Sequence, residues 1–150
     1  MAISYPASRK MKKEEELLLQ DLTSRLSFGV MCEYKNETCS TIKPLLLTDV
    51  CRVKTRTGFI YWDCYFEGNG GREIPVEIVR PYLRPLSSMT EEEKCESDEF
   101  TFEVISFFGQ VKEAAQLMIW LRKHHFDYLG LIDLGMAIEV TKENNPYEKS

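Results

Sequence analysis

Apolar residues along this chain follow two different periods. In "KKEEELLLQDLTSRL", Leu18, Leu19, Leu22 and Leu26 make one apolar stripe, the pattern of an amphipathic helix. Glu14, Glu15 and Glu16 stand where the positive end of its dipole would lie. Ser27, Phe28 and Gly29 break the pattern, and from Val30 short segments alternate with turn signals. "VMCEY" reads as a strand and "KNET" as a turn, with Asn36 suited to it. "CSTIKPLLL" reads as an irregular second strand, because Pro44 cannot donate to a ladder. Thr48 and Asp49 turn the chain into "VCRVKT", and "RTG" turns it into "FIYWDCYF". "EGNGG" (Glu67 to Gly71) is the clearest loop. "REIPVEIV" is a fifth strand whose Pro75 suits an edge or a bulge. "RPYLRPL" is extended, since a residue before proline avoids the helical region.

Alternation along the strands assigns faces. Cys51, Val53 and Thr55 point one way, and Arg52, Lys54 and Arg56 the other. In "FIYWDCYF", Phe59, Tyr61 and Tyr65 oppose Ile60, Trp62, Cys64 and Phe66. A strand apolar on both sides is covered on both sides, and the leucine helix is the natural cover. One helix followed by five short strands predicts a small, strongly bent antiparallel barrel of Sm-like or Src-homology type. Thr90 and Glu93 have capping-box spacing at the start of a short acidic helix. "FTFEVIS" is a candidate strand. "GQVKEAAQLMIWLRKHHF" is the second strong helix, with Ala114, Leu117, Met118 and Leu121 on one face and Trp120 beside them. "DYLGLIDLG" reads as a further helical turn, capped by Asp127 and stopped by Gly135, before a strand-like "MAIEV".

The expected plan is therefore α+β. Residues 1–11 form a flexible tail, 12–86 the helix and barrel, and 87–108 an acidic linker with a short helix. A C-terminal helical unit spans 109–142, and 143–150 form a polar tail.

Charge refines this picture. The formal net charge is -5. Residues 87–150 hold thirteen acidic against six basic side chains, whereas the rest is nearly balanced. An acidic balance disfavours a dedicated nucleic-acid binder, whose phosphate contacts need clustered Lys and Arg, but leaves room for a local basic face. The five cysteines (Cys32, Cys39, Cys51, Cys64 and Cys95) are odd in number and contain no C-x-x-C spacing. This excludes the common zinc patterns and leads us to expect reduced thiols in a cytoplasmic protein. The start "MAISYPASRKMKKEEE" has no apolar core of a signal peptide. No run approaches the roughly 20 apolar residues of a membrane span.

Both histidines, His124 and His125, lie in "LRKHHFDYLGL". Adjacent helical residues diverge by about 100°, so the two imidazoles cannot easily share an ion. Asp127, three residues from His124, is better placed, but one His–Asp pair leaves a zinc site two ligands short. The favoured reading is structural: His124, His125, Asp127 and Tyr128 cap and pack the end of a helix. A metal or acid–base site at His124 and Asp127 is the remote alternative. No G-x-S-x-G nucleophile and no P-loop is present. No catalytic residue, metal ligand or cofactor is assigned, and the chain is expected not to be an enzyme. Arg52, Lys54 and Arg56 form a basic row beside a strand carrying Tyr61 and Tyr65. With Arg80 and Arg84 they make a candidate surface for nucleic acid or another anion. Charges that protect a strand edge are the alternative explanation.

Two segments are more specific than any of these patterns. "RPYLRPLSSMTEEE" (Arg80 to Glu93) and "WLRKHHFDYLGLIDLGMAIEV" (Trp120 to Val140) resemble a group of small proteins encoded by phages and mobile elements of gut anaerobes of the Bacteroidetes type. That group shows "KPYLRPxSSMTEEE" followed by "WLNxHHFDYRGLIxxGxAIE". "LLLQDLTSRLSFGVMCEY" is similar to its "LLLKDLCxRLPYGVKCxY" opening. The resemblance covers most of the chain, with residues 94–110 the most divergent. Leu129 departs from it, standing where the group usually has Arg. No biochemical activity is known for the group. What the resemblance implies is an accessory protein of a phage or mobile element in a bacterial cytoplasm. Together with the missing catalytic motifs, it leads us to expect a non-enzymatic protein that acts by binding a host protein. A single-stranded nucleic acid is the alternative partner, and neither a membrane nor a particular oligomer is implied.

Overall fold

The computed structural model describes residues 11–35, 43–98 and 107–148, with residues 107–110 described by backbone alone. The N-terminal tail, the "KNET" turn, Cys39, "FTFEVIS" and part of the linker fall wholly or mainly outside the described residues.

The leucine stripe forms helix α1 (Lys13–Arg25), with Glu14, Glu15 and Glu16 in its first turn. Leu18 and Leu22 are completely buried. A short 3-10 turn follows, and Gly29 leaves it at φ +78°, a conformation that favours glycine. The strands are β1 (Met31–Tyr34), β2 (Leu45–Lys54), β3 (Ile60–Phe66), β4 (Ile74–Pro75) and β5 (Val79–Pro85). Helices α2 (Glu91–Asp98) and α3 (Phe107–Lys123) come next, then two-residue strands β6 (Phe126–Asp127) and β7 (Ile138–Glu139). The sheet order is β4-β3-β2-β1-β5-β6, with β7 also on β5.

The fold is thus α+β with an N-terminal helix and a C-terminal helix around one sheet, but the expected five-stranded barrel is not closed. Its fifth strand splits at Pro75. Only Ile74 and Pro75 pair with β3, and Val76–Ile78 form a 3-10 turn before β5 begins. On the side of β5 away from β1, β6 pairs in parallel, and β7 also pairs in parallel with β5. A second difference lies at Thr48 and Asp49. The expected turn is a β-bulge inside one ten-residue strand. The Thr48 hydroxyl donates to the Tyr65 carbonyl, and the Asp49 carboxylate accepts from the Val50 amide. Side-chain bonds that satisfy the irregular backbone let the strand continue.

The main core joins Leu18 and Leu22 to Val30, Cys32, Leu47, Cys64, Val79 and Leu83, and reaches Leu131 and Met136. A smaller cluster of Trp120, Leu121 and Phe126 lies under α3, packed by Leu117 and Met118, whereas Ala114 is exposed. Beyond α3 the C-terminal segment is stitched into the sheet through β6 and β7. After β6 residues 131–135 form the expected turn: the Leu134 amide donates to the Gly130 carbonyl, and Gly135 leaves it at φ +72°. No helix among the described residues is long and apolar enough to cross a membrane.

Candidate functional site

The histidine segment is a structural junction. α3 ends through backbone bonds: the His124 amide donates to the Trp120 carbonyl at 3.1 Å, and the His125 amide to the Arg122 carbonyl at 3.1 Å. His125 takes the left-handed capping position at φ +65°, where glycine is usual. Its ring stacks on Tyr147, 3.6 Å away and 10° from parallel. Tyr147 in turn donates its hydroxyl to the Tyr82 carbonyl and accepts from the Met31 amide. The expected free tail is therefore docked as far as Tyr147. Burial, helped by Arg25, His124 and Arg84, pushes His125 down to about 4, so its imidazole is neutral near pH 7.

Asp127 is engaged by the backbone. Its carboxylate accepts from the Leu131 and Ile132 amides at 2.9 and 3.0 Å. It caps the turn as expected, and its oxygens are not held toward an ion. Arg25, completely buried, donates to Asp21 at 2.9 Å and to the Phe126 carbonyl. The Tyr128 hydroxyl accepts from Arg122 at 2.9 Å. No group of three or more His, Cys, Asp or Glu able to hold a metal ion exists among the described residues.

The five candidate anion-binding residues are not brought together. Arg84 is engaged bidentately by Glu93 at 2.7 and 2.8 Å and lies over the Phe126 ring at 4.2 Å. This fork holds Glu93 down at about 2. Glu93 also completes the expected capping box with Thr90. Arg80 donates to the Glu77 and Val79 carbonyls. Next to this pair an open cleft of about 410 Å³ is lined by Arg84, Glu93, Lys123, His124, His125 and Tyr147 among others. Its strongest charges, Arg84 and Glu93, already neutralise each other.

Arg52, Lys54 and Arg56 remain as a group. They are exposed, and none forms an ion pair among the described residues. β1 pairs with β2 only near Leu45 and Leu46, and β4 pairs with β3 only at Asp63 and Cys64. Among the described residues the outer half of the β2–β3 hairpin is therefore a two-stranded ribbon with both edges open. Register corrects the expected company of the basic row. Arg52 is opposite Trp62 and Lys54 opposite Ile60, whereas Tyr61 is opposite Val53 and Tyr65 opposite Asp49. Directly paired residues share a face, so Ile60 and Trp62 flank the cations, and the two tyrosines lie on the other side. Phe59 and Ile60 at the tip are 44% and 48% exposed. The tip is braced by Thr55, whose hydroxyl accepts from the Phe59 amide.

Comparison with protein-family models, with curated proteins and with solved structures gave no match for the chain.

Proposed function

We propose that this chain is a non-enzymatic accessory protein of a phage or mobile element, and that it acts by binding a host protein through the end of the β2–β3 hairpin. One observation carries the reading. Arg52 and Lys54 share a face with exposed Ile60, and exposed Phe59 stands beside it at the tip. With Arg56 these cations form no ion pair among the described residues, on a ribbon whose edges are open among the described residues. Exposed apolar groups beside charge are a recognised mark of interaction surfaces. The basic row selects an acidic partner and steers its approach. The phage or mobile-element setting rests on the wording of Arg80 to Glu93 and Trp120 to Val140.

A single-stranded nucleic acid is the second reading, favoured by the same exposed cations beside the half-buried Trp62. Against it, Arg80 and Arg84 are engaged elsewhere, and Tyr61 and Tyr65 lie on the opposite face.

The test is capture from host-cell lysate with and without nuclease, comparing the native chain with an Arg52→Glu, Lys54→Glu, Ile60→Ser variant. A protein that survives nuclease and drops at least about tenfold with the variant, a loss of about 1.4 kcal/mol, is expected. Equal capture by both would overturn the assignment to the hairpin. Capture abolished by nuclease would move it to nucleic acid.

A further inference from the structure

The other face of the same ribbon has the opposite chemistry. Residues alternate along β3, so Tyr61, Asp63 and Tyr65 share one side, with a carboxylate between two phenol rings. Asp63 lies opposite Cys51 on β2 and Pro75 on β4. It has no exposed surface, and neither of its carboxylate oxygens has a hydrogen-bond partner. The charged groups that act on it, Glu73 and Glu77, are both acidic. Glu73 lies against Asp63 and can supply a donor only when one of the two carboxyls is protonated. Tyr65 feels Glu73 and Asp63 as well. Asp63 sits one layer beneath the surface, with Tyr61 and Tyr65 half-buried and Glu73 exposed.

A covered carboxylate with two free oxygens, like charges beside it and no facing cation among the described residues is incomplete. Burying such a group unpaired costs several kcal/mol. We infer that this face of β3 is a binding site for a guanidinium group, gripped by the Asp63 carboxylate, flanked by Tyr61 and Tyr65 and closed by Glu73.

The chemistry favours a planar organic cation over a metal. Calcium needs about six to eight oxygen ligands, whereas no metal-holding group of three acidic, His or Cys side chains is present among the described residues. A guanidinium matches two free carboxylate oxygens with two parallel N–H bonds, and phenol faces attract it further. Exposed Glu73 is the side chain that can swing out to admit the ligand and return to it. This inference does not depend on the basic tip, whose partner is of opposite charge.

The test uses the full chain at pH 7–8, above the range in which Asp63 is protonated. Aromatic NMR signals are followed while N-acetyl-arginine methylamide, a short arginine-containing peptide and calcium chloride are added separately. Saturable shifts of Tyr61 and Tyr65 with the arginine compounds are expected, weakened at least about tenfold in Asp63→Asn. A peptide that binds about tenfold tighter than the blocked amino acid identifies a protein source for the guanidinium. Equal affinities identify a free small cation, and both results support the site. The proposal is overturned if neither arginine compound saturates, if calcium gives the same shifts at lower concentration, or if Asp63→Asn binds as tightly as the native chain. Should Asp63→Asn fail to fold, Glu73→Gln, an exposed substitution, carries the same criterion.

Discussion

Two buried aspartates have opposite surroundings. Asp127, where α3 meets the sheet, receives two backbone amides, and nearby Arg84 and Glu93 cancel each other through a bidentate pair. Asp63, in the β2–β3 ribbon, has no donor at either oxygen among the described residues, and the charged groups that act on it are acidic. On the ribbon's other face the cations likewise form no ion pair among the described residues. The junction is not wholly satisfied: Asp21 Oδ1, Arg25 Nη1 and His125 Nδ1 lack partners. There, however, the charges of Arg25 and Asp21 already meet each other, and the His125 imidazole is neutral near pH 7. Charges that cancel internally hold a fold together. Charges that accumulate on one element are available to something outside it.

The largest expected effect lies at the junction. Arg25→Ala leaves the Asp21 carboxylate buried without its cation and frees the Phe126 carbonyl. It should lower stability in urea unfolding by about 3–5 kcal/mol. Asp127→Ala, which strips two amides of their acceptor, should cost about 1–3 kcal/mol by the same measurement. Neither change touches the hairpin, so binding per folded molecule should be unaltered. A loss of binding beyond the unfolded fraction would break the comparison.

Asp63→Asn should act in the opposite direction. Desolvation by burial, with Glu73 and Glu77 beside it, raises Asp63 from 3.8 to about 6. The folded state then holds its proton more tightly than the unfolded state, so stability falls as pH rises from about 4 through 6. Asparagine removes that loss. The variant should match the native chain near pH 4 and exceed it by about 1 kcal/mol above pH 6, a figure reduced for solvent screening. The junction has the reverse slope. Glu93, lowered from 4.5 to about 2 by its Arg84 fork, contributes above its ordinary value and loses that contribution as pH falls through about 2. His125, lowered from 6.5 to about 4 by burial, contributes fully above 6.5 and progressively less as pH falls through 4. Urea midpoints of Asp63→Asn and the native chain across pH 3–8 resolve the two slopes.

The smallest expected effect on stability is that of Arg52→Ala, Lys54→Ala and Arg56→Ala together. These exposed side chains carry no ion pair among the described residues, so the change should stay within about 0.5 kcal/mol. Thermal unfolding checks it.

Much of the local structure was legible in the residues. The leucine stripe, the Thr90–Glu93 capping box and the Asp127 cap follow from spacing and side-chain chemistry alone. The open sheet was not legible, because it depends on the C-terminal β6 and β7 reaching β5, a long-range pairing that no local pattern records. The bulge at Thr48 and Asp49 was hidden for a related reason: the same two residues initiate turns elsewhere. The basic row was found from alternation, but its neighbours were not, since register across two strands decides which ring shares a face with which charge. No motif marks Asp63. The signal was present as a single acid at the centre of "FIYWDCYF", an aspartate in a strand otherwise apolar or aromatic on both faces. A charged residue at such a position is either paired across the sheet or waiting for a partner.

The most direct measurement pairs stability with binding for two variants in parallel: Arg52→Glu, Lys54→Glu, Ile60→Ser in the ribbon, and His124→Ala, His125→Ala at the junction. The expected result is a ribbon variant that unfolds at the native temperature yet captures at least about tenfold less host protein. The histidine variant should unfold earlier and capture normally below its transition. A histidine variant that keeps its stability and loses its partner would contradict the division between a structural junction and a binding ribbon.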